Sequence, residues 1–238
     1  MDDTQKLIKP AEYAEKFIIK HIVSGKWKKG DPLPPERDLA DLIGITRPTL
    51  RETLKRLSTE GWITIRHGKP TLVNDFIHEG SIGIIKTLIK HCDLIPDTII
   101  RDWLEFRTIL LPQLAQKAAN NNPDKILNLL KQKPQSNASA REFAWYDWQL
   151  QDMMVSLSNN SVARLIFNDV KEPYLFLAEK YFSLPQNRQA SSRYYTNLQQ
   201  TISQQPHRTE DVVKQAMSES MANYASIISD ISSAPNNK

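Results

Sequence analysis

Apolar residues recur at helical spacing in three segments of the N-terminal quarter of the chain. The spacing predicts helices over residues 11–24 and 36–43, and a third helix that begins between Thr46 and Pro48 and ends before Gly61. Each helix has an apolar stripe for a common core, formed by Tyr13, Phe17, Ile18 and Ile22, by Leu39, Leu42 and Ile43, and by Leu50, Leu54 and Leu57. Glycine and proline residues, which favour helix ends, separate the three segments.

A different pattern follows the third helix. Residues 63–65 and 71–73 are two short runs rich in β-branched side chains, and a turn-forming segment, 66–70, separates them. This pattern predicts a small β-hairpin. Three helices followed by a hairpin have the element order of a winged helix-turn-helix domain, so we expect that α+β fold for the first part of the chain.

From about residue 74 the pattern is helical. Long apolar stripes predict helices within residues 82–118 and 141–182, near 193–203, and in a last segment that Thr209 can cap and that ends near Ile228. Polar stretches interrupt these segments over residues 120–125, 131–140 and 183–192. We therefore predict a mainly α protein in which an all-α bundle of six or seven helices follows the winged domain.

The change of pattern near residue 74 also predicts the domain boundaries. Residues 1–74 are expected to form the winged helix-turn-helix domain, residues 75–81 a linker, and residues 82–238 the all-helical domain. The polar tail over residues 232–238 is expected to fray.

Composition narrows the class of protein. Hydrophobic residues make up 40% of the 238 residues, which is enough for a packed core. No apolar run approaches the roughly 18 residues of a membrane helix, and the acidic start of the chain is unlike a secretory signal. The single cysteine, Cys92, can form neither an internal disulfide nor a thiolate metal cluster, so we expect the protein in a reducing cytoplasm.

The positive charge is concentrated in one segment. The whole chain has 31 basic and 27 acidic residues, a formal net charge of +4. Residues 44–73 contain six basic and two acidic residues, so this segment has the entire excess and the rest of the chain is neutral. Charged helix faces are often only solvated, but a local basic patch on a neutral body favours a polyanionic partner.

The start of the third helix has side chains suited to DNA. Thr46, Arg47, Thr49 and Arg51 lie in its first two turns, away from the leucine stripe. Arginine can donate two hydrogen bonds to the O6 and N7 atoms of guanine, and threonine can contact a thymine methyl group or a phosphate. Because recognition helices enter the major groove through their N-terminal residues, we expect this helix to read DNA.

The predicted hairpin and the second helix supply further contacts. Gly68 allows the backbone at the hairpin tip to approach DNA closely, and His67 and Lys69 flank it. Such a tip fits the minor groove or the phosphate backbone. Arg37, at the start of the second helix, can reach a phosphate or a base. We expect all four residues at a DNA interface.

The sequence from residue 33 to residue 70 closely resembles the N-terminal domain of the GntR superfamily of bacterial transcription regulators; it reads LPPERDLADLIGITRPTLRETLKRLSTEGWITIRHGKP. Within the superfamily, the chain is most similar to the regulators of fatty acid metabolism, strongly over about residues 11–76 and more weakly beyond. The resemblance implies DNA contacts from Arg37, Thr46, Arg47, Thr49, Arg51, His67, Gly68 and Lys69. Pro48 stands where threonine is common, which removes a hydroxyl and an amide and bears on operator preference.

The same resemblance implies a function. A regulator of this type is a homodimer that binds a palindromic operator in double-stranded DNA and is released from it by long-chain acyl-CoA. It represses genes of fatty acid degradation and can activate genes of unsaturated fatty acid synthesis. The domain over residues 82–238 is then expected to bind acyl-CoA and to dimerise, without a cofactor.

Many relatives in the superfamily instead have a helical domain with a metal site made by one aspartate and three histidines. This chain has five histidines, and only His91 and His207 fall within the predicted bundle. Asp147 stands where such a ligand pair begins, but Gln151 occupies the position four residues later. Two scattered histidines cannot build a three-histidine site, so we expect no metal and interpret Asp147 as a hydrogen-bonded structural carboxylate or a surface group.

An acyl-CoA domain needs an apolar cavity for the acyl chain and polar groups for the CoA moiety. The resemblance implies ligand contacts at six positions: Arg107, Tyr174, Tyr181, Met217, Ser220 and Tyr224. Where the family has a glycine and a tryptophan in its ligand-response motif, this chain has Met217 and Tyr224. Met217 either narrows the cavity or lines it, so it bears on the preferred acyl length.

Other functions remain as alternatives. The first is a GntR-type repressor that responds to another small metabolite, such as an organic acid. The second is an enzyme, but the chain has no phosphate-binding glycine loop, no GxSxG motif and no paired His/Cys or His/Ser constellation, so we expect no catalytic residues. A purely DNA-bending protein is disfavoured because about two thirds of the chain lies outside the winged domain.

Overall fold

The computed structural model describes residues 9–91 and 95–233, with side chains described as far as Tyr224. The chain divides into two compact units, Met1–Pro96 and Asp97–Lys238. In the described residues both units are helical except for one small sheet in the first, which confirms the predicted mainly α fold class. No helix in these ranges is both long and apolar enough to span a bilayer.

The first unit is a winged helix-turn-helix followed by one more helix. Its elements are α1 (Pro10–Val23), α2 (Glu36–Ile43), α3 (Arg47–Glu60), β1 (Ile63–Thr64), β2 (Leu72–Val73) and α4 (Gly83–Lys90). The two strands are antiparallel, with Ile63 opposite Val73. The segment before α2 extends this hairpin, because Leu33 donates its backbone N–H to the Thr71 carbonyl at 2.8 Å and Val73 donates to the Asp31 carbonyl at 3.0 Å.

Local sequence sets the turn between α2 and α3. Gly44 ends α2 with a φ of 79°, a conformation in which a side chain would be strained. Thr46 caps α3, because its hydroxyl accepts the backbone N–H of Thr49 at 3.4 Å. Pro48 is tolerated beside the cap because the first turn of a helix leaves its backbone N–H groups without intrahelical partners. The predicted stripe of α3 is buried: Leu50, Leu54 and Leu57.

Two predicted core positions in α1 and α2 are wrong. Tyr13 is 48% exposed and Leu42 is 62% exposed. The buried face of α1 consists of Ala14, Glu15, Ile18, Ile19 and Ile22, and that of α2 of Leu39, Ala40 and Ile43. The hydrophobic pattern does not count a carboxylate as a core residue, so it missed Glu15 and placed the stripe of α1 too far toward Tyr13. Leu42 lies outside the buried face of its short helix.

Helix α4 packs against the winged domain, although it lies in the stretch that the sequence pattern grouped with the helical bundle. Thr87 donates its hydroxyl to Glu60 at 2.6 Å, and Lys90 donates to Glu15 at 2.7 Å. His91, which was expected in the bundle, follows α4, and its Nε2 atom lies 3.0 Å from Glu15 Oε1. Periodicity shows that a helix has an apolar face but not which neighbour covers it.

Glu15 is the polar centre of this packing. Its side chain is 8% exposed and is hydrogen-bonded to Lys90, His91 and Arg56, the last from Nη2 at 3.0 Å. Burial by itself raises the pKa of the carboxyl group, but the hydrogen bonds from His91 and Lys90 and the charges of Lys90 and Arg56 outweigh it and lower the pKa from 4.5 to about 2. The ionised carboxylate therefore joins α1, α3 and the end of α4.

The described part of the second unit contains seven α-helices. They are α5 (Asp97–Asn121), α6 (Pro123–Leu130), α7 (Ala140–Leu157), α8 (Ser161–Asp169), α9 (Lys171–Phe182), α10 (Pro185–Gln204) and α11 (Thr209–Ser233). Helix α5 packs against α7 and α11, α7 packs against α9, and α10 packs against α11. This arrangement agrees with the predicted all-α bundle.

The ends of α10 and α11 differ from the prediction. Most of the predicted polar break over residues 183–192 is helical, since α10 begins at Pro185. Two of its polar side chains bond to the end of α9: Asn187 is buried and donates to the Tyr181 carbonyl at 2.8 Å, and Arg188 donates to the Phe182 carbonyl. Thr209 is not a cap: it is already helical and donates its hydroxyl to the Pro206 carbonyl at 2.8 Å. Helix α11 continues past Ile228 to Ser233. The predicted fraying of the tail lies mostly outside the described residues.

The substitution Glu15→Gln tests the polar centre of the first unit. A neutral amide loses the attraction of Lys90 and Arg56, so we expect the free energy of unfolding at pH 7 to fall by about 3 kcal/mol in urea denaturation of the full chain. Because the pKa of Glu15 is lower in the folded state, its contribution is complete above about pH 4.5 and is lost as the pH falls toward 2. The difference between the two proteins should shrink over that range.

The matched control is Glu12→Gln on the same helix. Glu12 lies 3.9 Å from Lys90 and its side chain is 41% exposed, so we expect its replacement to change the free energy of unfolding by less than about 0.5 kcal/mol. Equal effects of the two substitutions at pH 7 would contradict the role given to Glu15.

Candidate DNA interface and ligand cavity

The start of α3 presents polar side chains at the surface of the first unit. Thr46, Arg47 and Arg51 are exposed and Thr49 is half-buried, while the leucine stripe of the same helix is buried. The hydroxyls of Thr46 and Thr49 lie 2.8 Å apart. Within the described part of the chain, Arg47 makes no ion pair, so its guanidinium group keeps all its donors for a partner. The structure thus brings these four predicted residues together at one accessible helix end.

Carboxylates orient the other two predicted arginines. Arg51 Nε donates to Glu36 Oε2 at 2.6 Å, which links α3 to α2, and Arg37 Nε donates to Asp38 Oδ1 at 3.1 Å. Both arginine side chains are more than 60% exposed. Since a guanidinium group has five N–H donors, each arginine keeps donors for DNA after making its ion pair.

The predicted hairpin tip is also accessible. His67, Gly68 and Lys69 are all exposed in the turn between β1 and β2. Gly68 has a φ of 68°, a region that favours glycine, and a Cβ atom at this position would meet nothing within 4 Å. Glycine is therefore suited here by its backbone conformation and by the close approach it allows, and not by packing within the unit.

The second unit has a cavity that all six predicted ligand residues line. They come from α5, α9 and α11: Arg107, Tyr174, Tyr181, Met217, Ser220 and Tyr224. The cavity has only about 40 Å³ of free space, whereas a pocket for a small-molecule ligand has roughly 300–1,000 Å³. Its own side chains therefore fill most of it in this conformation.

Arg107 supplies a positive charge to this cavity. Its Nη2 atom donates to Met217 Sδ at 3.2 Å, and its guanidinium carbon lies 5.1 Å from the centroid of the Tyr174 ring. Arg107 Nε is buried and has no hydrogen-bond partner among the described residues. A thioether is a weak acceptor, and an aromatic face stabilises a cation by only about 0.5–2 kcal/mol. The guanidinium group therefore has unused donor capacity inside the cavity.

Asp147 faces the same cavity and fixes two tyrosines. It is 7% exposed and accepts hydrogen bonds from the hydroxyls of Tyr174 and Tyr195, the latter at 2.9 Å. Its position is that of a buried, hydrogen-bonded structural carboxylate, which links α7 to α9 and α10. In the described ranges, no three histidine, cysteine, aspartate or glutamate side chains lie close enough together to hold a metal ion.

The tyrosines of the cavity act as neutral hydroxyl groups. Burial and the charge of Asp147 raise the pKa of Tyr174 well above its usual value of 10, against the opposing charge of Arg107. Burial likewise raises the pKa of Tyr181 and of Tyr224, whose rings stack with centroids 6.1 Å apart. These side chains therefore offer rings for apolar contact and hydroxyls for hydrogen bonds at physiological pH.

Several residues of the cavity wall were not predicted as such from the sequence, although Asp147 was singled out as a structural carboxylate or a surface group. They include Trp103, Leu104, Asp147, Leu177, Phe182, Tyr194 and Glu219. Trp103 precedes Arg107 by one helical turn, so the spacing of α5 contained a signal for it. Tyr194 gave no such signal, because an aromatic residue in the stripe of α10 looks like any core position.

Two family models match the chain. Residues 10–73 match the gntR family of bacterial regulatory proteins, and residues 74–235 match the FadR C-terminal domain. Between them, the two matches extend from the start of α1 to the end of α11.

Curated relatives match over most of their length. A fatty acid metabolism regulator protein from Pectobacterium atrosepticum is 36% identical over 224 residues, which cover 93% of each chain. Another from Shewanella sp. (strain MR-4) is 38% identical over 193 residues, which cover 80% of this chain and 79% of the relative.

A solved structure of Lar, described as controlling the expression of the Listeria monocytogenes agr system, has a TM-score of 0.62 with this chain. The match covers 95% of this chain and 100% of that one at 12% identity, a level that supports the fold alone. From the two matched families and the curated relatives, the chain belongs to the gntR family of bacterial regulatory proteins with a FadR C-terminal domain, and it is a DNA-binding transcription regulator of the same type as these fatty acid metabolism regulators.

Proposed function

We propose that this regulator acts in the cytoplasm as a homodimer on a palindromic DNA operator, and that long-chain acyl-CoA binds its second unit and releases it from DNA. It represses genes of fatty acid degradation and can activate genes of unsaturated fatty acid synthesis. The curated relatives support this choice of metabolism, because each is named a fatty acid metabolism regulator protein.

In the proposed complex, the N-terminal turns of α3 enter the major groove. Arg47 donates to a base, Thr46 and Thr49 contact the backbone or a thymine methyl group, and the hairpin tip at Gly68 approaches the minor groove or a phosphate. A dimer presents two such helices to half-sites about 34 Å apart, one turn of DNA. The exposure of Thr46, Arg47 and the hairpin tip, with Thr49 half-buried beside them, supports this mode of binding.

The observation that carries the effector proposal is the cavity around Arg107. Aromatic and aliphatic side chains form most of its wall and suit an acyl chain. Arg107 has a buried Nε–H without a partner and a weak sulfur acceptor at Nη2, so it can donate to the carbonyl oxygen of an acyl thioester. The combination of an apolar wall and a single cation with unused donors matches the chemistry of an acyl-CoA.

The small size of the cavity supplies a physical route to regulation. A long acyl chain exceeds 40 Å³ several-fold, so its entry has to move side chains or helices of the second unit. The ligand then binds best to the rearranged state, and a 100-fold preference for a state that does not bind DNA corresponds to about 2.7 kcal/mol of coupling.

A second candidate effector is a small organic acid. The present free space is nearer to the size of such a molecule, and Arg107 can pair with a carboxylate. Thermal-shift screening of organic acids beside acyl-CoAs separates the two candidates, because the true effector stabilises the folded protein at concentrations above its Kd.

The substitution Arg47→Ala tests the DNA interface. If Arg47 donates two hydrogen bonds to a guanine, its loss should weaken operator binding by about 1–3 kcal/mol, roughly 5-fold to 150-fold in Kd, in a gel-shift titration at fixed salt. The effect should be greatest on the operator base pair that Arg47 contacts.

Arg141→Ala is the matched control, because Arg141 is an exposed arginine at the start of α7 in the second unit. It should leave operator affinity within about twofold. An Arg47→Ala protein that binds the operator as tightly as the control would remove Arg47 from the interface.

Oleoyl-CoA tests the effector proposal. Titrated into the operator complex, it should dissociate the protein from DNA in a gel shift. Arg107→Ala removes the proposed charge-assisted hydrogen bond, so about 10-fold to 100-fold more oleoyl-CoA should be needed for the same release.

Arg101→Ala is the control for this substitution, since Arg101 is exposed on the same helix and does not line the cavity. It should leave release by oleoyl-CoA unchanged. An operator complex that resists saturating oleoyl-CoA would rule out the effector proposal for this chain.

A further inference from the structure

Buried polar atoms without partners are concentrated at one place in the second unit. Arg107 and Tyr194 line the cavity, and Gln151 lies one helical turn after Asp147, which also lines it. A folded protein rarely leaves buried polar atoms unpaired, so their clustering points to a group outside the protein that bonds to them. Among the described residues, the buried side-chain nitrogen and oxygen atoms without a hydrogen-bond partner are Arg107 Nε, Gln151 Nε2, Gln151 Oε1 and the Tyr194 hydroxyl oxygen.

Gln151 is the side chain that packing explains least. It is 0% exposed in the middle of α7, and an amide at this depth is costly unless it is hydrogen-bonded. An apolar side chain of similar length, such as methionine, would fill the same volume without that cost. The amide of Gln151 thus has a chemical role that the described contacts of the protein do not supply.

Gln151 and Tyr194 face each other beside the cavity. Burial and the charge of Asp147 raise the pKa of the Tyr194 hydroxyl, and the charge of Arg107 and the nearby Gln151 amide oppose that shift. Tyr194 is 8% exposed, and its hydroxyl remains without a hydrogen-bond partner in the described part of the chain. Two hydrogen-bonding groups, one from α7 and one from α10, therefore lie close together without satisfying each other.

The types of these atoms define the ligand group that fits them. The Gln151 amide offers both donors and an acceptor, the Tyr194 hydroxyl can do either, and Arg107 Nε is a donor. An alkyl chain satisfies none of them, and a carboxylate would meet the negative charge of Asp147 in the same cavity. A hydroxyl group both donates and accepts, so it satisfies atoms of both kinds without adding a charge.

The cavity leaves little room for water beside an acyl chain. Its free space is about 40 Å³, whereas a single water molecule needs roughly 10–15 Å³ by the same measure. An acyl chain that fills the cavity displaces this water. A plain alkyl chain then leaves Gln151 and Tyr194 unpaired, a cost that a hydroxyl group on the chain avoids.

We propose that Gln151 and Tyr194 form a polar subsite that favours an acyl-CoA with a hydroxyl group on its acyl chain over the plain acyl-CoA of the same length. The inference rests on the proposed acyl-CoA function and adds a chemical class of effector to it. In the complex, the ligand hydroxyl donates to the carbonyl oxygen of Gln151 and accepts from the hydroxyl of Tyr194.

The test is isothermal titration of the full-length protein with hexadecanoyl-CoA and with its derivatives hydroxylated at the α, β or ω carbon. At least one hydroxylated ligand should bind about 5-fold to 150-fold more tightly than the plain one, the factor expected when buried polar groups gain a partner. The position of the favoured hydroxyl then gives the place of the subsite along the chain.

Gln151→Met and Tyr194→Phe remove the hydrogen-bonding groups and keep the apolar volume. Either substitution should reduce the preference for the hydroxylated ligand, and Gln151→Met should reduce it to within about twofold. Gln151→Met should also leave the free energy of unfolding of the ligand-free protein unchanged or higher, because it removes two unpaired polar atoms from the interior. A glutamine with a purely structural role would lose stability instead.

Each substitution has a matched control. Gln149→Met makes the same chemical change at an exposed position of α7 and should change neither stability nor preference. Tyr195→Phe removes a hydroxyl that already donates to Asp147 at 2.9 Å, so it should lower the free energy of unfolding and leave the preference in place.

The outcomes separate this proposal from the proposed function. If the native protein binds plain acyl-CoA and every hydroxylated form equally well, or if Gln151→Met keeps the preference or is less stable than the native protein, the polar subsite is overturned and the effector function stands. If only hydroxylated acyl-CoA binds and Gln151→Met loses this discrimination, the subsite is supported and release by plain acyl-CoA is overturned. If no acyl-CoA binds, both proposals are overturned.

Discussion

The half-buried guanidinium group of Arg107, which faces the cavity between α5, α9 and α11, is the interaction on which the proposed response of the second unit depends. Charged groups are costly to bury unless strong partners surround them. Arg107 is half-buried, and among the described residues it contacts the Met217 sulfur atom and the face of Tyr174, while its buried Nε–H has no acceptor. Asp147 in turn holds Tyr174 and Tyr195. Five helices thus contribute side chains to the surroundings of Arg107, a cation with a donor that is not hydrogen-bonded within the described part of the chain. They are α5, α7, α9, α10 and α11.

In the first unit, by contrast, a buried carboxylate has several cationic and hydrogen-bonding partners. The Glu15 side chain is 8% exposed, and Lys90, His91 and Arg56 all reach its carboxylate. A buried charge whose partners are all in place favours one arrangement of the helices that hold it, whereas Arg107 keeps a buried donor that a ligand can use. The contrast agrees with the proposed function, in which the second unit is the one that responds to an effector.

The sequence predicted the winged domain closely and the bundle only in outline. Gly44 and Gly61 marked the ends of α2 and α3, and the leucine stripe of α3 was buried as expected, because short-range rules decide both features. The stripe of α1 was misplaced because Glu15 is buried for its ion pairs, and α4 packs on α1 and α3 through Glu15 and Glu60, which only tertiary contacts reveal. The resemblance to a family selected the six cavity residues; hydrophobic periodicity could not separate a cavity tyrosine from an ordinary core tyrosine.

Release from DNA by an effector requires a coupling between the cavity at Arg107 and the proposed DNA-binding end of α3. Thermodynamic linkage requires that coupling to be reciprocal: a ligand that weakens DNA binding by some factor must itself bind the DNA complex more weakly by the same factor. The most direct test is therefore the Kd of oleoyl-CoA measured for the free protein and for the protein saturated with operator DNA. With this coupling, oleoyl-CoA binds the DNA complex more weakly than the free protein, by the same factor as the loss of operator affinity at saturating oleoyl-CoA. Equal Kd values in the two states would contradict it.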